Sequence, residues 1–160
     1  MRSLVRIQQG PPDLENRMKV AFDVHGVLDT HDEYRSLMRS LYHLNHTVYI
    51  ISGQAQDAEM LEFLHIHDLM KWHHHYYGVE SYLLDQGYDK FEERPCGRFW
   101  PDEIWNPVKA EICVKEGIDM IFDDSPVYAE TFTNIDTHFN LVINKEMFNV
   151  EILTPAKHRF

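Results

Sequence analysis

The sequence predicts an α/β domain in which a parallel sheet of about five strands is covered on both faces by helices. Two patterns carry that reading. Short, continuous apolar runs recur along the chain without polar alternation, as expected of strands buried on both faces. Between them lie segments whose apolar residues repeat at helical spacing, and strands alternating with helices build a parallel sheet. A third observation concerns function: the clearer runs end in polar residues, Asp23, Ser52 and the pair Asp123-Asp124. In open sheets of this kind ligands bind beyond the carboxyl ends of the strands, where the strand order switches direction.

Lys19-Val20-Ala21-Phe22-Asp23 is the first strand, and Thr30-x-x-Glu33 after it has the form of a capping box. Tyr34, Leu37, Met38, Leu41 and Leu44 then mark a helix. Thr47-Val48-Tyr49-Ile50-Ile51 is the second strand, closed by Ser52-Gly53, and Ala58, Leu61 and Leu64 mark the next helix. His73 to Tyr77 reads as a third strand and Val79 to Leu84 as a short helix. Residues 87–104 read as a loop rich in Gly, Pro and charge. Asn106-Pro107 is an N-cap followed by proline at the first helical position, and Gly117 is the C-terminal stop. Met120-Ile121-Phe122 is a fourth strand, Ser125-Pro126 opens another helix, and Phe139 to Ile143 is a fifth strand.

Residues 1–17 share no period with the rest of the chain and contain Gly10-Pro11-Pro12. The run Ser3 to Gln8 is what one frame through a transfer-RNA T-arm would encode. The expectation is a disordered or non-native leader, with a single domain from Met18 onward. Of 160 residues, 26 are Asp or Glu and 15 are Lys or Arg, for a net charge of −11. That balance argues against a protein that coats nucleic acid, whose affinity rests on neutralising phosphates, so no duplex binding is expected. No run approaches the roughly eighteen apolar residues of a membrane span. Cys96 and Cys113 have no metal-like spacing and read as reduced thiols of a cytoplasmic protein.

Two strands delivering carboxylates to one edge create a cluster that cannot stay fully ionised without a cation. Singly, each Asp is more often a turn or cap residue; together at consecutive strand ends they point to a metal site, and hard oxygens suit Mg²⁺. Lys109 falls in the first turn of its helix, where a cation opposes the macrodipole. The plain alternative is a solvated lysine; the sharper one is a lysine aimed at an anion. Ser52 is likewise either a cap or a hydrogen-bond donor to phosphate. His73-His74-His75 is best read as a polar strand end, since adjacent strand residues face opposite sides. Trp100 and Trp105 are expected to pack over the sheet edge, and Tyr128 and Phe132 to lie in the core.

These residues resemble a known family. Phe22-Asp23-Val24-His25-Gly26-Val27-Leu28-Asp29 resembles the first motif, DxDGV, of the haloacid-dehalogenase-like (HAD) hydrolases. Ile50-Ile51-Ser52-Gly53 resembles their second motif, Lys109 stands where the third-motif lysine would, and Ile121 to Pro126 resembles the acidic fourth motif. The resemblance implies a three-layer, Rossmann-like (HAD-like) fold and a Mg²⁺-dependent phosphomonoester hydrolase. In it Asp23 attacks phosphorus and forms an aspartyl-phosphate. Asp23, the His25 carbonyl and Asp124 would hold Mg²⁺, with Asp123 close by. Lys109, Ser52, Gly53 and backbone amides of the Asp23–Gly26 turn would bind the phosphoryl group.

The family's second Asp is replaced here by His25, which is expected to serve as acid and base around neutral pH. The alternative is a catalytically weak protein that binds a phosphorylated ligand or partner. Dehalogenation fits less well because it needs neither the acidic fourth motif nor a metal. A phospho-acceptor receiver domain would place its acidic residues on different strands. Only 28 residues separate Asp23 from Ser52 and 56 separate Ser52 from Lys109, which leaves no room for a large cap domain. A small flap at about 88–105 remains, and a small phosphorylated substrate is expected. Similarity of the Lys109–Asp124 segment to deoxyribonucleotidase-like members points towards nucleotides.

Overall fold

The computed structural model describes residues 17–95 and 97–144. In chain order it contains β1 (Lys19–Phe22), a wide turn (Val24–Leu28), α1 (Asp32–His43), β2 (Thr47–Ser52), α2 (Ala58–Ile66), β3 (His75–Gly78) and α3 (Val79–Asp85). Next come β4 (Glu92–Arg94), β5 (Gly97–Phe99), α4 (Asp102–Trp105), α5 (Val108–Glu116), β6 (Met120–Asp123), a 3₁₀ helix (Pro126–Phe132) and β7 (His138–Leu141). The main sheet has the order β3-β2-β1-β6-β7 with every pair parallel. This is a Rossmann-like fold, with no large cap among the described residues. Cys96, Met1 to Asn16 and the chain beyond Asn144 lie outside the described residues, and with them almost all of the expected leader.

The apolar runs explain the layering. Residues alternate across the strands, so Val20, Phe22, Val48 and Ile50 face one side, where Met38 of α1 and Met60 and Leu64 of α2 cover them. Ala21, Tyr49, Ile51 and Ile121 face the other side, against Val79 and Leu83 of α3 and Ile112 and Cys113 of α5. Phe22 is fully buried and stacks on Phe122 of the adjacent strand, centroids 5.2 Å apart. Fully burying such side chains contributes about 1.5–3 kcal/mol each. Among the described residues, no helix is long and apolar enough to cross a membrane.

Several local expectations are corrected. Thr30 does not cap α1: its hydroxyl donates to Asp29 Oδ1 at 2.8 Å, and His31 takes the cap position without a side-chain bond. Asn106 is helical rather than an N-cap, because the short α4 precedes it and Pro107 borders α5 directly. The expected loop at 87–104 contains the antiparallel hairpin β4–β5 and most of α4. The Ser125 side chain makes no cap bond, and the element it precedes is a 3₁₀ helix. Gly117 does end α5 in the left-handed region, φ 64°, as the glycine stop requires. The three histidines disperse: His73 bonds Leu69 O, His74 accepts from Val48 N, and His75 stacks on Tyr49.

Candidate active site

The register of β1 and β6 sets the site. Ala21 pairs with Ile121 and Phe22 with Phe122, so Asp23 and Asp123 come next at the same level on neighbouring strands. The Asp23 amide extends the pairing by donating to Phe122 O at 2.9 Å. This is the switch point of the sheet: β2 lies to one side of β1 and β6 to the other.

Strand alternation sends both carboxylates to the α5 side, the side of Ala21 and Ile121. There Lys109, in the first turn of α5, reaches between them. Its Nζ lies 2.5 Å from Asp123 Oδ2 and 3.1 Å from Asp23 Oδ2, and all three residues are buried. The Lys109 ammonium also sits 4.8 Å from the centroid of the Tyr128 ring. Burial alone would lower the Lys109 pKa, but Asp23 and Asp123 outweigh it and hold the group well above its ordinary value. Of the two arrangements the sequence allows for Lys109, solvated or aimed at the sheet edge, it takes the second.

Asp23 is raised to about 6, chiefly because burial disfavours its charge and Asp123 adds repulsion, while Lys109 pulls in the opposite direction. Its Oδ1 accepts from Val24 N at 2.8 Å. Asp124, half-buried, is also raised, first by burial and then by Asp123. Oxygens of Asp23, Asp123 and Asp124 all lie within 4.8 Å of one another. Three carboxylates thus face one ammonium, an excess of negative charge that a divalent cation would offset. Hard carboxylate oxygens in this number fit Mg²⁺. Asp23 and Asp123 each have both oxygens engaged, by Val24 N and Lys109 for Asp23 and by the Ser125 amide and Lys109 for Asp123, so hydrogen bonding alone does not choose between them as a ligand beside Asp124.

The wide turn after β1 brings Gly26 against Asp124. Gly26 has φ +75°, and a Cβ there would meet Asp124 Oδ2 at 1.9 Å, so any side chain would displace the carboxylate. Three of the amides expected to bind phosphate are already engaged. Asp23 N donates to Phe122 O, Val24 N serves Asp23 Oδ1, and Gly26 N donates to Asp29 Oδ1 at 2.7 Å. Gly26 therefore shapes the turn and does not offer its amide to a ligand.

Ser52 is fully buried at the end of β2, and its Oγ accepts from Gln54 N at 3.4 Å. The Tyr76 hydroxyl lies within hydrogen-bonding reach of the same side chain. Gly53 lies against Trp105, where a Cβ would stand 3.2 Å from the indole. The His25 ring is 64% exposed, with Nδ1 3.2 Å from Asp29 Oδ2 and Nε2 3.3 Å from Gln54 Oε1. Its nitrogens are thus turned to these two side chains, and the ring is outside the carboxylate cluster.

A cleft of ≈ 700 Å³ opens beside the cluster, with His25, Gly53, Gln54, Trp105 and Tyr128 on its walls. Several of these residues had no signal in the sequence. Tyr128, expected in the core, lies half-buried over Lys109, whereas Phe132 is in the core. Gln54, Asp29 and Asn144 were missed: Asn144 donates to Asp124 Oδ2 at 3.0 Å and pairs with His31 Nε2 at 2.6 Å. For Asn144 no short motif exists, because it acts from beyond the last strand. Asp29 stood within the first motif, and its spacing from His25 could have suggested the contact.

Fold and site together define a Rossmann-like α/β domain with a buried lysine–carboxylate cluster at the switch point of its sheet. No family model and no curated protein matches the chain. Two solved structures are similar in backbone. One is an uncharacterized protein from Corynebacterium glutamicum ATCC 13032 Kitasato, with TM-score 0.45, 15% identity, and coverage of 84% of this chain and 90% of that one. The other is a glycosyltransferase from Rickettsia africae ESF-5, with TM-score 0.44, 16% identity, and coverage of 84% of this chain and 33% of that one. Likeness at this level says nothing about activity.

Proposed function

We propose that this chain is a Mg²⁺-dependent phosphomonoester hydrolase of the HAD type, working through an aspartyl-phosphate on Asp23. The observation that supports it is the buried triad of Asp23, Lys109 and Asp123, assembled by strand register and one helix turn. A structural salt bridge would need no third carboxylate beside it, yet Asp124 adds one.

In this mechanism Asp23 and Asp124 would hold Mg²⁺, and the ion would neutralise charge on the phosphoryl oxygens. An Asp23 oxygen attacks phosphorus, and the bond from phosphorus to the leaving oxygen breaks. Lys109 keeps Asp23 ionised and in place, and the Ser52 hydroxyl donates to a phosphoryl oxygen. His25, at the mouth of the cleft, delivers a proton to the leaving oxygen. Water then attacks the acyl-phosphate phosphorus, His25 accepts its proton, and phosphate leaves with the Asp23 carboxylate restored. The substrate class is a small phosphomonoester, nucleoside monophosphates included. Cys113 is a buried free thiol among the described residues, in keeping with the reducing, cytoplasmic setting we propose.

A second reading, a protein that binds phosphorylated ligands with little turnover, draws on His25, whose ring nitrogens both face side chains of the chain itself. Phosphate release from a panel of monoesters, with and without Mg²⁺, separates the two. The hydrolase reading expects Mg²⁺-dependent release that Asp23→Asn lowers at least about a thousandfold. Release equal to that of the variant on every ester would leave the binding reading standing instead.

A further inference from the structure

The cleft beside Asp23 has a composition that the chemistry at the sheet edge does not require. One wall is aromatic: Trp105 donates to the Tyr128 hydroxyl at 3.0 Å and stacks on Trp100, centroids 5.9 Å apart. The rim is acidic. Asp57, Glu59 and Asp102 line it, and among the described residues none of the three forms an ion pair with a lysine or arginine. The arginine on the cleft, Arg98 of β5, is already bound to Glu80 of α3 at 3.0 Å and lies over the Phe91 ring. Asp57 is fixed as an anion: it caps α2 through Met60 N and accepts from Gln54, and these bonds hold its carboxyl below the usual range.

A phosphate group seated at Asp23 would project its organic body past His25 and Gly53 into this space. The body would meet aromatic faces on one side and, on the other, carboxylates that have no lysine or arginine partner among the described residues. Carboxylates and aromatic faces both favour a cation or a hydrogen-bond donor. A second anionic group there would face three carboxylates, and Arg98 would have to leave Glu80 to receive it, in a chain whose net charge is already −11.

We propose that this cleft selects phosphomonoesters whose body is uncharged or cationic and packs on the Trp105–Tyr128 wall, and that it rejects bodies carrying a second anion. The inference rests on the phosphatase reading for the position of the phosphate. It narrows that reading: nucleoside monophosphates and amino or neutral sugar phosphates qualify, whereas nucleoside diphosphates, bisphosphates and phosphorylated carboxylic acids do not.

Three benzyl phosphates bearing a para-aminomethyl, methyl or carboxylate group test it, because the methylene insulates the reacting oxygen from the substituent. Binding to the Asp23→Asn variant with Mg²⁺, followed by tryptophan fluorescence, needs no turnover. The aminomethyl ester should bind about tenfold or more tightly than the carboxylate ester, with the methyl ester between them and the gap narrowing in high salt. Adding Glu59→Gln and Asp102→Asn to that variant should shrink the gap at least about threefold. Equal affinities, the reverse order, or a gap that both substitutions leave intact would overturn the proposal. Hydrolysis of acetyl phosphate, which has almost no body, is measured separately on the native sequence. Its failure to depend on Asp23 would sink the phosphatase reading, while the binding order still decides the cleft.

Discussion

Two ion-paired regions of this molecule differ chiefly in their access to water. At the strand ends, Lys109 is 2% exposed and lies between the Asp23 and Asp123 carboxylates, at 9% and 0%. Beside the hairpin, Arg98 meets Glu80 at a similar distance, but their side chains are 41% and 23% exposed. Similar contacts therefore have different consequences. Water screens the outer pair, so the pair adds little to the stability of the fold. The inner triad has no such recourse, and each charge in it depends on the others being present. The inner region is built for fixed geometry and perturbed ionisation, the outer one for selecting what comes near.

The sharpest way to break this contrast is to remove the central cation. Lys109→Met leaves Asp23 and Asp123 facing each other, and should cost about 3–5 kcal/mol of stability. Arg98→Gln in the outer pair should cost about 1 kcal/mol or less. Urea denaturation of both variants checks the comparison, and similar losses would contradict it.

A smaller effect concerns pH. The Asp23 pKa is raised from 3.8 to about 6 on folding. A raised carboxyl contributes stability that is fully present below its unfolded pKa and is lost as pH rises through the folded one. Asp124 is shifted in the same direction, so the native sequence and Asp23→Asn must be compared. Between about pH 4 and pH 7 the metal-free native protein should lose on the order of 1–2 kcal/mol more than Asp23→Asn. Mg²⁺ should recover the loss at the upper end, and identical pH profiles would mean that Asp23 titrates normally.

The two regions also differ in how far the sequence reveals them. Asp23, Ser52 and Asp123-Asp124 are legible because each stands at the end of an apolar run, and a parallel sheet brings such ends to one edge. Lys109 is legible because a cation in a first helical turn runs against the helix dipole. The strands β1, β2 and β6 emerge from the same apolar runs, whereas β3 and β7 are half-exposed edge strands with a weaker pattern. The cleft cannot be read in this way. Gln54, Glu80, Arg98, Trp105 and Tyr128 come from separate segments, and only packing brings them around one space. The hairpin reads as a loop because its strands have three residues each and every one is exposed, so no buried face leaves a period in the sequence. Thr30 and Asn106 show a third limit: a cap motif is satisfied only if no nearer partner or neighbouring helix competes for it.

The central claim is that Asp23 is the nucleophile. Acid quenching of the native protein during turnover with acetyl phosphate and Mg²⁺, followed by peptide mass spectrometry, tests it directly. One phosphoryl group is expected on the peptide carrying Asp23, labile to hydroxylamine as an acyl phosphate is, and absent from Asp23→Asn. Turnover with no such adduct, or an adduct that persists in Asp23→Asn, would contradict the claim.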